Sequence, residues 1–213
     1  TLAHLPDPLR WACYRPIKDY PECLLVGKKE TYDFLRDLLI SASRPFRTKR
    51  IHIGMDEAWS MGRGAFMDKH GYVPPFDIFN EYMERLMQIV NKYGLTAMMW
   101  SDMYFRLTND AETYYDTESP FPEGLAGQID HSTRLVYWDY YHRDKETYKK
   151  MIRRHRDLGK EPVMGSGIWT WVRLWYDHNK TMLTASPCIE ACREEKISEI
   201  FKLNFGCCLC TWI

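Results

Sequence analysis

The sequence has no surplus of either charge. Lys and Arg together number 29, as do Asp and Glu, so the formal net charge is zero. This removes the basic footprint by which proteins hold nucleic acid or an anionic membrane surface, and no polyanionic partner is expected. Long apolar runs are missing too. None approaches the roughly 18 residues a membrane-spanning helix requires, and no charged-then-apolar leader opens the chain at Thr1. There is no spaced cysteine framework: Cys13, Cys23, Cys188 and Cys192 are scattered, while Cys207, Cys208 and Cys210 crowd one end. An odd, unpatterned count fits free thiols in a reducing compartment, so a cytoplasmic location is expected. No set of His, Cys, Asp and Glu has metal-ligand spacing, and neither a metal nor another cofactor is anticipated.

Aromatic residues are plentiful, at 15% of the chain with eight Trp and fourteen Tyr. A flat ring offers an apolar face to the C–H face of a sugar and, in Tyr and Trp, a polar edge for hydrogen bonding. Such an excess serves a sugar-binding concavity or a Trp-rich core equally well.

Hydrophobic periodicity divides the chain into short β-rich runs alternating with helices. Phe79, Met83, Leu86, Val90 and Tyr93 recur at three- and four-residue steps and predict a helix over residues 76–93, stopped by Gly94. Further helices are expected over 31–40, 144–158 and 187–195, the last opened by Ser186 with Pro187 at its first position. Strands are expected at 50–54, 95–100, 135–138, 162–169 and 197–205, and residues 1–5 read as the end of another. This βα rhythm predicts an α/β fold with a parallel sheet or barrel, in one domain. With 213 residues the chain falls short of the roughly 250 of a complete (β/α)8 barrel. The polar stretch 108–132 reads as an extended loop after a strand, the kind that builds a barrel's active face.

The sharpest motif is Ile51-His52-Ile53-Gly54-Met55-Asp56-Glu57-Ala58, a strand that ends in Gly and then presents two adjacent carboxylates. Where a barrel strand runs out into its loop, both can lean over the barrel mouth. Two close carboxylates cannot both ionise cheaply, so one should stay protonated as a general acid requires. Glu57 is expected to carry that proton. His52, inside the strand, is expected to be a buried barrel residue. Asp102 and Arg106 follow the next strand and read either as sugar-contacting groups or as ordinary polar residues of a loop.

Residues 49–58, together with Met98-Met99-Trp100-Ser101-Asp102-Met103, resemble glycoside hydrolase family 20, the β-N-acetylhexosaminidases, in particular the branch of hexosaminidase D and bacterial intracellular enzymes. Thr1-Leu2-Ala3-His4-Leu5, Val136-Tyr137-Trp138-Asp139-Tyr140-Tyr141 and Gly167-Ile168-Trp169-Thr170-Trp171 resemble successive strand ends of that branch, in order. The resemblance implies an exo-acting, retaining hydrolase of terminal GlcNAc or GalNAc on oligosaccharides or glycoconjugates, in which the 2-acetamido oxygen of the substrate is the nucleophile. It casts Glu57 as acid and base, and Asp56 as the ionised partner that orients the acetamido N–H. Trp100, Trp138 and Trp169 or Trp171 would box the N-acetyl group and the sugar ring. Tyr140 or Tyr141 would hold the acetamido oxygen, His4 would orient Glu57, and Asp102 would reach a neighbouring subsite.

Set against that family, the chain reads as an incomplete (β/α)8 TIM barrel of about six βα units. The first two strands are missing, with the sugar-gripping arginine the family carries there, and residues 201–213 replace an expected strand carrying Trp-Gly-Asp. Residues 1–200 would be the partial catalytic barrel. A change of reading frame near Lys202 would produce such an ending, and so incomplete a barrel should be weakly stable. Two other readings stay open: a carbohydrate-binding remnant without turnover, and another retaining barrel glycosidase that uses two separated carboxylates.

Overall fold

The computed structural model describes residues 1–5, 9, 11–20, 22–108, 113–171 and 175–203. The chain divides into two compact units, Thr1–Asp116 with Pro120–Arg134 and Leu135–Ile213 with Thr117–Ser119.

The first unit opens with an arm, residues 1–5. Expected as a strand end, the arm makes a single bridge from Ala3 to Cys23. The Leu2 carbonyl accepts from the Leu24 N–H, and the Thr1 nitrogen donates to the Ile53 carbonyl at 2.5 Å. A 3-10 helix, Ala12–Ile17, leads into an antiparallel hairpin of β1 (Lys18–Tyr20) and β2 (Cys23–Leu24). Helix α1 (Lys29–Ser43) buries Thr31, Leu35 and Leu39, a four-residue stripe. Strand β3 (Arg50–His52) pairs in parallel with β4 (Thr96–Trp100), placing Ile51 opposite Ala97. Between them lie α2 (Ala65–His70) and α3 (Pro75–Lys92). Pro75 sits at the start of α3, where a missing N–H costs nothing, and Ile78, Phe79, Tyr82, Met83, Leu86, Met87 and Val90 form its buried face. The short α4 (Asp102–Arg106) and α5 (Leu125–Gln128) follow.

The second unit runs β5 (Arg134–Trp138), α6 (Lys145–Asp157), β6 (Val163–Gly167), α7 (His178–Glu194) and β7 (Ile200–Leu203). The strands are parallel, with Tyr137 beside Met164 and Gly165 beside Phe201. The Asp144 carboxylate accepts from the Thr147 N–H at 2.8 Å and caps α6. Helix α7 begins at His178 and not near Pro187, because Asp177 caps it through the Lys180 N–H at 3.0 Å. Pro187 therefore lies inside the helix and removes one backbone bond. All but the first three residues of the segment 201–213 lie outside the described residues.

In both units a strand returns through a helix to a parallel strand, the repeat of a (β/α)8 barrel. The fold is an incomplete (β/α)8 TIM barrel, with β3 to β7 as its parallel strands. Among the described residues, no helix is long and apolar enough to cross a membrane.

Candidate active site

Past β3 the chain still follows β4: the Ile53 N–H donates to the Met98 carbonyl and the Trp100 N–H to the Gly54 carbonyl. It then turns through three residues of positive φ within a span of four. Gly54 takes φ +72°, Met55 +84° and, one residue later, Glu57 +51°. A side chain at Gly54 would put its Cβ 2.7 Å from the Thr1 nitrogen, so only glycine fits there. For Met55 and Glu57 such angles cost on the order of 1–3 kcal/mol each and persist only where the surroundings fix them. Met55 is fully buried, and the Glu57 N–H is held by Asp102 Oδ2 at 3.3 Å. The result is a loop that presents the half-buried side chains of Asp56 and Glu57 together.

His4 completes the cluster, itself at φ +61°. Its Nε2 lies 3.3 Å from Glu57 Oε2 and 3.6 Å from Asp56 Oδ2. The other Glu57 oxygen accepts a hydrogen bond from the Tyr114 hydroxyl at 2.7 Å. Asp56 and then Glu57 hold the imidazole in its charged form, lifting the His4 pKa to about 10 against the opposing effect of burial. In return His4, and more weakly Tyr114, keep the Glu57 carboxyl below its ordinary value, against burial and the Asp56 charge. The proton expected on Glu57 therefore rests on His4, one hydrogen bond away. The reason is physical: a cation beside two carboxylates is cheaper than a neutral acid beside one.

Around this cluster, the Arg106 guanidinium lies 3.8 Å above the Trp59 ring, which in turn meets Tyr114 at 5.6 Å. Asp102 is fully buried, and its Oδ2 accepts the Glu57 N–H at 3.3 Å. His52 departs from expectation. It is exposed, because its strand has β4 on one side and no hydrogen-bonded strand among the described residues on the other. Its ring rests 4.3 Å from that of Trp100.

The second unit gathers the remaining candidates into one aromatic cluster. Trp138 stacks on Tyr140 at 5.4 Å, Tyr140 meets Trp171 edge-on at 5.2 Å, and Trp171 stacks on Trp169 at 4.5 Å. Tyr141 reaches Trp169 at 5.7 Å. Trp138, Tyr140 and Trp169 are buried, Trp171 is half-buried and Tyr141 is 54% exposed. Trp169 is committed to the interior: its indole N–H donates to the Tyr140 carbonyl at 3.1 Å, and the Lys180 ammonium covers its face at 3.4 Å. The rings close up because Gly167 has no side chain. A Cβ there would lie 2.6 Å from Tyr140 and 2.8 Å from Trp171.

The family model for the catalytic domain of glycosyl hydrolase family 20 matches residues 10–158, more than half of the chain. The chain belongs to this family. Solved structures similar to the family 20 chain include the GH20 β-N-acetylhexosaminidase of Streptomyces coelicolor A3(2), at 22% identity and a TM-score of 0.42, covering 67% of this chain and 22% of that one. The Streptomyces plicatus N-acetyl-β-hexosaminidase in complex with Thio-NAglucal is similar at 22% identity and a TM-score of 0.40, covering 68% and 22%. The family 20 chain thus spans about a fifth of the length of these proteins. No curated protein matches it.

Within the family 20 match lie Asp56, Glu57, Trp100, Asp102, Trp138, Tyr140 and Tyr141, whereas His4, Trp169 and Trp171 fall outside it. Two residues near these candidates escaped the sequence reading. Tyr114 lies in the polar stretch singled out as a loop of the active face, but nothing in a loop sequence tells which of Tyr114 and Tyr115 turns inward. Asp139 was quoted only as part of a motif. Buried, it accepts from the Tyr137 hydroxyl at 2.6 Å, the Tyr141 N–H at 2.9 Å and the His142 N–H at 3.2 Å, and so shapes the turn that carries Tyr140 and Tyr141. An acid directly after an apolar strand was the available signal.

Proposed function

We propose that this family 20 domain is an exo-acting β-N-acetylhexosaminidase that releases terminal GlcNAc or GalNAc with retention, using the substrate's own acetamido group as nucleophile. The observation that carries the reading is the closeness of the two acids. Asp56, Glu57 and His4 each offer an atom within 4.8 Å of the others. Retaining glycosidases with a carboxylate nucleophile separate their carboxyl groups by about 5–5.5 Å, and inverting ones by about 6.5–9.5 Å. Asp56 and Glu57 are neighbours in the chain and both contact His4, so Asp56 is read as a partner on the same side and not as an opposed nucleophile. That geometry favours a nucleophile supplied by the sugar over a second enzymic one.

In this mechanism Glu57 donates a proton to the glycosidic oxygen while the acetamido carbonyl oxygen bonds to the anomeric carbon and the aglycone leaves. Ionised Asp56 accepts the acetamido N–H and offsets the positive charge of the resulting oxazolinium ion. Glu57, now a carboxylate, takes a proton from the water that opens the ring. His4 supplies the resting proton to Glu57 across their 3.3 Å contact, and Tyr114 steadies the opposite oxygen. In the second unit Trp138, Tyr140 and Trp171 offer apolar ring surface, and Tyr140 and Tyr141 a hydroxyl, of the kind that sugar binding uses. Cys13, Cys23, Cys188 and Cys192 are free thiols, which supports action in the cytoplasm.

The test is release of chromophore by the chain from an aryl N-acetyl-β-glucosaminide and from the plain β-glucoside. Turnover of the first alone is expected, with Glu57→Gln lowering kcat by roughly 10²- to 10⁴-fold. Equal turnover of both substrates would reject substrate assistance. Binding of GlcNAc without any turnover would favour a carbohydrate-binding remnant.

A further inference from the structure

We propose that His4 Nε2, Asp56 Oδ2 and Glu57 Oε2 form a three-ligand site for a divalent transition-metal ion of the zinc class, whose occupancy shuts off proton donation by Glu57. The site itself rests on the geometry of these atoms. Its effect on turnover rests on the reading given under Proposed function.

Metal–ligand bonds of about 2.0–2.2 Å place neighbouring ligands of a tetrahedron roughly 3.3–3.6 Å apart. His4 Nε2 lies 3.3 Å from the Glu57 oxygen and 3.6 Å from the Asp56 oxygen, so two edges of that tetrahedron already exist. The ligand atoms of all three residues lie within 4.8 Å of one another, and an ion seated among them would draw the third edge, between the carboxylates, to the same spacing. The three side chains are 52%, 24% and 30% exposed, which leaves an approach for the ion and room for water at the fourth position.

The surroundings hold these ligands as metal sites are held. The Tyr114 hydroxyl engages Glu57 Oε1 and leaves Oε2 toward His4, while Asp102 fixes the Glu57 backbone. Such outer partners orient ligating carboxylates and raise affinity. His4, Met55 and Glu57 are three of the four non-glycine residues with positive φ among the described residues, so strained backbone converges on this one spot. An imidazole with two carboxylates suits zinc, cobalt or nickel. Magnesium and calcium call for six or more oxygens, and this site does not offer them. On binding, the metal replaces the proton on His4 Nε2, which passes to buffer, and the cation lowers the basicity of the Glu57 carboxylate so that it no longer holds the proton the leaving group needs.

The experiment uses the full chain with Cys207, Cys208 and Cys210 changed to Ser, so that thiolates do not compete. Titration with Co²⁺ is expected to raise a visible ligand-field band without a sulfur charge-transfer band, saturating at one ion per chain. Zn²⁺ should abolish the band and Mg²⁺ at the same concentration should not. His4→Ala and Glu57→Gln should each weaken Co²⁺ binding at least tenfold, with folding checked by circular dichroism, while His70→Ala leaves it unchanged. No band, or unchanged binding in both site variants, overturns the proposal. Because binding is read without turnover, a Co²⁺ site that forms while Zn²⁺ leaves glucosaminide hydrolysis untouched upholds the site and rejects the catalytic role of Glu57.

Discussion

The two units spend their chemistry differently. In the first, charge and backbone strain meet at one spot: His4 lies 3.3 Å from Glu57 and 3.6 Å from Asp56, and His4, Met55 and Glu57 hold positive φ. In the second, the buried Asp139 meets His142 at 2.6 Å, and further ion pairs lie along α6 and α7. There Lys145 and Lys149 pair with Glu194, and Arg153 and Arg156 with Glu195. Its interior holds rings. Exposed ion pairs of that kind contribute little each, whereas the charged cluster of the first unit resets its own proton affinities. The contrast is one of material: ionisable groups on strained backbone in the first unit, packed aromatic rings in the second.

The comparison breaks most visibly at Asp56. Asp56→Asn keeps the size of the side chain and removes the charge that would face the acetamido N–H, so kcat for an aryl N-acetyl-β-glucosaminide should fall roughly 10²- to 10³-fold. A loss below tenfold would place Asp56 among ordinary loop residues. In the second unit, Trp171→Ala removes half-buried ring surface. It should raise KM about tenfold with a smaller change in kcat, the pattern of lost ground-state binding. A fall in kcat as steep as that of Asp56→Asn would erase the division of labour. Replacing Tyr140 and Tyr141 singly by Phe, and comparing kcat/KM, would show whether either hydroxyl contributes to turnover.

The smallest effects are on stability, and they carry opposite signs in the two units. His4 is raised to about 10, so the stabilisation from its carboxylate contacts is complete below about pH 6.5 and is lost as pH climbs toward 10. His155 is fully buried on α6, and burial lowers its pKa to about 4. The fold keeps it neutral, so stability is lost as pH falls from about 6.5 toward 4. Melting temperatures measured across both windows should fall by roughly 5–10 °C on the acid side. The alkaline loss should be shallower, because His4 is half exposed to screening solvent, and His4→Ala should flatten it. A flat acid limb would mean that the unfolded chain leaves His155 no easier to protonate.

Much of the fold was legible because apolar periodicity reports burial directly. The predicted helix 76–93 and strand 95–100 correspond to α3 and β4 within a residue or two. The misreadings have local causes. Pro187 resembles a helix start, while the effective cap, Asp177, stands in a stretch without apolar period. The hairpin of β1 and β2 is too short to show alternation. In the site, the adjacent acids and their strand were plain, but the resting place of the proton was not. It depends on His4, distant in sequence, arriving 3.3 Å from Glu57 through a backbone turn that no pattern announces. His52 was misplaced because a strand motif implies two neighbours and β3 has one among the described residues.

Gly167, the last residue of β6, has the widest reach for its size. Even a methyl group there would drive a wedge between Tyr140 and Trp171, since both rings already occupy the space a Cβ would take. The smallest residue thus sets how far apart the largest ones stand, and a single added carbon would be felt along the whole row from Trp138 to Trp169.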